Sequence, residues 1–205
     1  MPRSSSARRA EAERLLELAV QYRKAKGIRR TLKRERELFE RAAKAGSPVG
    51  MSALGQILLK HPRSTKDRRD GIRWLLGAER GGVFSAPHYL GRAAEDEGDW
   101  ATAHKWYERA LEQGDVASGF RLAKHYLDRL DVRYHRLGVQ LLRRAIQRSA
   151  VDNPSWAYTA LALCYLQGQG VRRSRKQGLK YLQIAAPEDP EARDLLKRMK
   201  RRRAR

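Results

Sequence analysis

A leucine followed by a small residue recurs along this chain as Leu18-Ala19, Leu54-Gly55, Leu90-Gly91, Leu122-Ala123 and Leu161-Ala162. Four residues after each leucine stands Tyr22, Leu58, Ala94, Tyr126 or Tyr165. A second series, Leu38, Trp74, Trp106, Leu141 and Tyr181, stands four residues before Ala42, Ala78, Ala110, Ala145 and Ala185. From each first-series leucine to its alanine the separation is 24, 24, 20, 23 and 24 residues. Self-similarity at a nearly fixed period marks a stack of supersecondary units, each unable to bury its apolar face alone.

Large residues three or four apart share one helix face, and a glycine or alanine beside them lets a neighbouring helix approach. Each unit therefore reads as a helical hairpin. Cap residues give the same boundaries. Thr31, Asp67, Asp99, Tyr134 and Ser174 stand four before the small slot of each second helix, held by Gly71, Ala103, Gly138 and Gly178, with Glu35 the exception. All but Tyr134 can accept a hydrogen bond from a first-turn N–H. Ser47-Pro48 and Asn153-Pro154 place a cap before a proline, and Asp115 is a plain cap. Gly46, Gly82 and Gly114 follow second-helix alanines by four residues, where a left-handed C-terminal residue is wanted.

The spacing predicts five pairs, at about 11–46, 47–82, 83–114, 115–149 and 150–186, within one repeat domain at 11–197. Residues 1–10 are expected to form a flexible basic N-terminus. A capping helix at 189–200 opens at Asp189-Pro190 and uses Leu195, Leu196 and Met199 to close the exposed apolar end, and 198–205 forms a basic tail. The fold class expected is all-α, a right-handed α-α superhelical solenoid of about five hairpins.

Charge is the outstanding bulk property: +22 for 205 residues, with only 12 lysines among the 45 basic residues. Arginine suits phosphate and carboxylate forks, and an arginine-favouring genome gives the same composition. No apolar stretch approaches a membrane span. The N-terminus MPRSSSARRAEAER contains Glu11 and Glu13, which transit peptides avoid, and reads as part of the mature protein. One cysteine, Cys164, allows no intramolecular disulfide and fits a cytoplasmic location.

Residues 157–186 carry Ala157, Leu161, Ala162, Tyr165, Gly168, Gly170, Val171, Gly178, Tyr181, Ala185 and Ala186. This pattern resembles the Sel1-like repeat, a longer-looped relative of the tetratricopeptide repeat. The middle unit, LGRAAEDEGDWATAHKWYERALEQGD, has the shorter tetratricopeptide spacing. The first and fourth units match less well, and the HPRST loop at 61–65 departs from the pattern. The resemblance implies a non-enzymatic scaffold or adaptor for a protein partner, whose first helices line a concave groove. Carried over by position, it selects Ser52, Gln56, His88, Arg92, Phe120, Lys124, Trp156, Thr159 and Leu163. Such a mixed polar and aromatic groove suits a peptide or helix, including one of acidic character.

The alternative is an RNA- or DNA-binding helical protein using its arginine-rich ends and convex surface. The candidate contacts are Arg29, Arg30, Arg143, Arg144, Arg172, Arg173, Arg201, Arg202 and Arg203. Oligomeric state stays open.

No catalytic or cofactor signature stands out, and no metal is called for. Cys164 lies in an apolar helical context with no adjacent base. His104 and Glu108 share a helix face, but two ligands without a third do not make a metal site. Glu95, Asp96, Glu97 and Asp99 read as an internal charge complement or a place for a basic partner. The aromatics Trp74, Trp106, Tyr107, Tyr126, Tyr165 and Tyr181 fall at core positions. A phosphate-binding G-x-G needs a preceding strand and a third glycine, so Gly168 and Gly170 read as a chain reversal with Val171 plugging the turn.

Overall fold

A computed structural model of the chain describes residues 5–24, 31–129, 131–149 and 154–201. Among the described residues there are eleven helices and no strand. They run α1 (Ser5–Lys24), α2 (Leu32–Lys44), α3 (Pro48–Lys60), α4 (Thr65–Arg80), α5 (Ala86–Asp96), α6 (Trp100–Glu112), α7 (Val116–Leu127), α8 (Val132–Arg148), α9 (Ser155–Gln167), α10 (Arg175–Ala185) and α11 (Pro190–Arg201). The chain divides within α6 into two compact units, one ending at Trp106 and the other beginning at Tyr107. Packing is between sequence neighbours: α1 on α2 and α3 on α4 in the first unit, α7 on α8 and α9 on α10 in the second.

The apolar periodicity explains the cores. In the first unit Ala19, Leu38, Phe39, Leu54, Ile57 and Leu58 form one buried cluster, with Val20, Tyr22, Met51 and Trp74 packed against it. Gly55 and Gly71 mark the α3–α4 crossing. A Cβ on Gly55 would come within 2.9 Å of the Gly71 carbonyl oxygen, so neither helix has room for a side chain there. In the second unit Leu195, Leu196 and Met199 of α11 pack on Ala162, Leu182, Ala185 and Ala192.

One first-series leucine departs from the pattern. Leu18 is 46% exposed although its neighbour Ala19 is fully buried. The buried stripe of α1 runs through Ala12 and Ala19, and Leu18, about 100° further round the helix, faces away from α2. The helix also begins at Ser5, inside the stretch expected to be a flexible N-terminus, because Ala7, Ala10, Ala12 and the Arg9–Glu13 pair favour it.

Most caps stand where expected. Thr31, Ser47, Asp115 and Ser174 accept from the N–H of Arg34, Gly50, Ser118 and Gln177, and Asp99 Oδ1 accepts from Thr102 N at 3.0 Å. Gly46, Gly82 and Gly114 all have positive φ.

Two caps differ. Ser64, in extended conformation, accepts from Asp67 N, so α4 starts earlier and Asp67 lies inside its first turn. Asp131 caps α8 by accepting from Arg133 N, leaving Tyr134 within the helix. A phenol offers no acceptor at cap geometry, and the nearest carboxylate takes the role. For α9, Pro154 precedes the helix and makes no side-chain cap bond, and Asn153 lies outside the described residues. The exceptional Glu35 is explained by a neighbour: its carboxylate accepts from Arg23 Nε of α1 at 2.6 Å.

Candidate protein-interaction surface

Residues three and four apart on α3 and α5 meet across a cavity of about 280 Å³ in the first unit. From α3 it is lined by Gln56, Leu59 and Lys60, and from α5 by Tyr89, Arg92, Ala93 and Asp96. Gln56 and Arg92 were both expected in the groove. Lys60 and Tyr89 were not selected, although each lies a helical turn from one that was. Lys60 and Arg92 are in no ion pair among the described residues, and both are exposed. The cavity therefore presents two cations, one carboxylate, an amide and a phenol over a small apolar floor.

Ser52 sits beneath this surface. It is 3% exposed, and its hydroxyl accepts from Gln56 Nε2 at 3.1 Å, which fixes the amide that reaches the cavity. His88 is half-buried, its ring edge-on to Tyr89 at 5.2 Å.

In the second unit Phe120 of α7 and Trp156 of α9 meet edge to face, with ring centroids 4.5 Å apart. Trp156 keeps 37% of its surface exposed, a large share for an indole of a folded chain. Lys124, one turn beyond Phe120, pairs with Asp128 at 2.5 Å. Leu163 is half-buried. Thr159, expected beside Trp156 on the surface, is instead buried at 3%. Its hydroxyl lies 2.5 Å from Asp189 Oδ2 and 3.1 Å from the Ser155 carbonyl oxygen, and its one proton serves one of them at a time. Thr159 thus ties α9 to the residue that opens α11.

The arginines separate into engaged and open ones. Arg144 forks onto Glu108 with contacts of 2.8 and 3.1 Å, and Arg143 Nη2 donates to the Tyr165 hydroxyl at 2.6 Å. Arg173 Nε donates to the Leu166 carbonyl, and Arg172 is exposed. Arg29, Arg30, Arg202 and Arg203 lie outside the described residues, as does the side chain of Arg201.

Cys164 is buried, and desolvation pushes its thiol up to about 11, leaving almost no thiolate at neutral pH. Glu108 is held by Arg144, and no cluster of three metal-ligating side chains occurs among the described residues. Of the acidic run, Asp99 caps α6, and the hydrogen bond from the Thr102 side chain holds its carboxyl below the usual range. Glu97 lies 3.7 Å from Arg68. No helix of the described residues is long and apolar enough to cross a membrane.

Helices pairing in sequence order through small-residue crossings, with polar and aromatic side chains along first helices, define an α-α hairpin repeat protein. The Sel1 repeat family model matches residues 36–47, 101–115, 120–149 and 157–186. The fourth unit matches across its hairpin despite Tyr134, whereas the second, with its HPRST loop, goes unmatched beyond residue 47.

Two solved structures share the fold. A protective antigen present in uropathogenic Escherichia coli strains and displaying an SLR fold superposes with a TM-score of 0.72 at 24% identity, over 93% of this chain and 41% of that one. A Sel1 repeat protein from Oxalobacter formigenes superposes with a TM-score of 0.67 at 23% identity, over 88% of this chain and 75% of that one. The chain thus spans less than half the length of the first. No curated protein matches it in sequence. The chain therefore carries Sel1 repeats and shares the helical solenoid fold of these structures, and Sel1 repeats generally mediate protein–protein interaction.

Proposed function

We propose that the protein is an adaptor that captures an extended or helical segment of a partner protein on the exposed faces of its first helices. The observation that carries this reading is the cavity between α3 and α5, where Lys60 and Arg92 stand without counter-ions beside the single carboxylate of Asp96. An excess cation in a recess favours a partner carboxylate, while Gln56 and Tyr89 offer hydrogen bonds to its backbone. The Phe120–Trp156 pair, with its exposed indole, supplies an aromatic anchor of the kind that dominates interface energetics.

The test is selection of binders from a displayed random-peptide library on the full-length chain, followed by affinity measurement with variants. Enriched peptides should carry Asp, Glu or a free C-terminus. Arg92→Ala or Trp156→Ala should weaken them about tenfold or more, with unchanged circular dichroism. Failure to enrich any peptide, or equal affinity for both variants and wild type, contradicts the proposal.

A further inference from the structure

Several arginines of the second unit are engaged inside the fold, whereas others stand exposed where two loops meet. Arg143 and Arg144 serve Tyr165 and Glu108. Arg175 donates to the Met199 carbonyl at 3.0 Å, and Arg193 to those of Ala186 and Pro187. Arg136 and Arg172, which make no ion pair or hydrogen bond among the described residues, lie where the α7–α8 turn meets the α9–α10 loop, beside Arg133, paired with Asp131, and Arg173, whose Nε donates to the Leu166 carbonyl. Two contacts join these segments. Gln169 Nε2 donates to the Leu127 carbonyl at 2.6 Å, and Gly170 lies so close to His135 that an added Cβ would be 2.2 Å from its carbonyl oxygen. That approach brings Arg172 and Arg173 to the segment carrying Arg133 and Arg136.

All four of these arginines are exposed, Arg133 with 86% of its side chain in solvent. Acidic compensation is slight: Asp128 is taken by Lys124, and Asp131 holds Arg133. Planar groups lie in the same surface. Tyr134, 36% exposed, stacks on Tyr126 with centroids 5.8 Å apart, and the Arg129 guanidinium stands 4.5 Å from its ring. Arginine forks beside aromatic and guanidinium planes answer a ligand that carries both phosphates and flat bases; a carboxylate chain would use only the first.

We propose that this loop cluster binds a single-stranded polynucleotide, its phosphates on Arg136 and Arg172 with Arg133 and Arg173 beside them, and a base against Tyr134 and Arg129. None of these residues lines the α3–α5 cavity or the Phe120–Trp156 pair, so the two sites stand or fall separately.

The test uses the full-length chain, freed of nucleic acid by nuclease and high salt. Fluorescence polarisation is read with labelled oligouridylate, oligothymidylate and polyglutamate, at salt from about 50 to 200 mM. The informative variant is Arg136→Gln with Arg172→Gln, since neither side chain holds the fold. Its control is Lys66→Gln with Arg69→Gln, two exposed positions on α4. The double variant should bind oligonucleotide about tenfold or more weakly, with a log–log salt slope shallower by roughly 1.4, the value for two lost phosphate contacts on a single strand. The control should stay within about twofold of wild type. Tyr134→Ala should weaken binding about fivefold or more without changing that slope. Preference for the uridylate or the thymidylate probe assigns the sugar, and binding of either upholds the site. No binding to either at about 50 mM salt, equal loss in the control, or polyglutamate bound as tightly with the same losses overturns it.

Discussion

Asp67 is a buried acid held by arginines from two elements. Arg36 donates to both its oxygens, at 2.7 and 2.9 Å, and the Arg63 N–H donates at 3.0 Å, with the carboxylate only 10% exposed. The Arg36 hydrogen bonds, seconded by the Arg63 amide, lower its pKa from the ordinary 3.8 to about 2. A group whose folded pKa is depressed stabilises the fold above its unfolded value, and that stabilisation disappears as pH falls through the folded one. Urea midpoints of the wild type should therefore hold above about pH 4 and decline toward pH 2. Asp67→Ala should cost about 3 kcal/mol at neutral pH, the toll of leaving a partly buried guanidinium unpaired, and should flatten that decline. A variant with the wild-type midpoint at pH 7 and the same acid limb contradicts the assignment.

Gly170 makes a second prediction at the same scale. Its φ of 67° and the 2.2 Å approach to the His135 carbonyl oxygen act together, whereas Gly46, with φ of 98°, has open space around a Cβ. Gly46→Ala should cost about 1–2 kcal/mol from backbone strain alone. Gly170→Ala should cost clearly more in the same thermal or urea melts, because the loop has to leave α8 to admit the methyl group. Equal losses would mean the contact with His135 is immaterial to stability.

Among the elements, hairpins were easier to read in the sequence than caps, and caps easier than surfaces. Leucine and alanine at fixed offsets can satisfy one helix period only, so the helices and their order follow directly. The starts of α4 and α8 were misplaced because Ser64, Asp67, Asp131 and Tyr134 cluster within a turn. Backbone conformation chooses among them, as the extended φ of −160° at Ser64 does. Ser52 and Thr159 were assigned to the surface by register alone. Both are small enough to turn inward once a partner is within reach, Gln56 for one and Asp189 for the other. Nor did register announce that Arg143 and Arg144 would be engaged, since Glu108 lies 36 residues from Arg144.

The terminal element carries its own prediction. Leu195→Ala with Leu196→Ala strips the half-buried residues of α11 from Leu182 and Ala185. Amide exchange in α9 and α10 should quicken by an order of magnitude or more, with a stability loss of about 2 kcal/mol. Unchanged exchange there would show that α11 is not needed to close the core.

At the scale of the whole molecule, repeated hairpins give a scaffold whose stability rests on nearest neighbours, leaving side chains on first helices free to differ from unit to unit. That freedom is visible in the polar, cation-rich recess of the first unit and in the aromatic pair of the second with its exposed indole. Fold likeness to other Sel1 repeat proteins says nothing of which partner those side chains suit. The most direct measurement is photo-crosslinking of a display-selected peptide to the full-length chain, with crosslinked residues located by mass spectrometry. Crosslinks at Gln56, Tyr89 or Arg92, or at Phe120 and Trp156, are the predicted result. Crosslinks confined to second helices, such as exposed Arg69 of α4 or Lys180 of α10, would contradict the account.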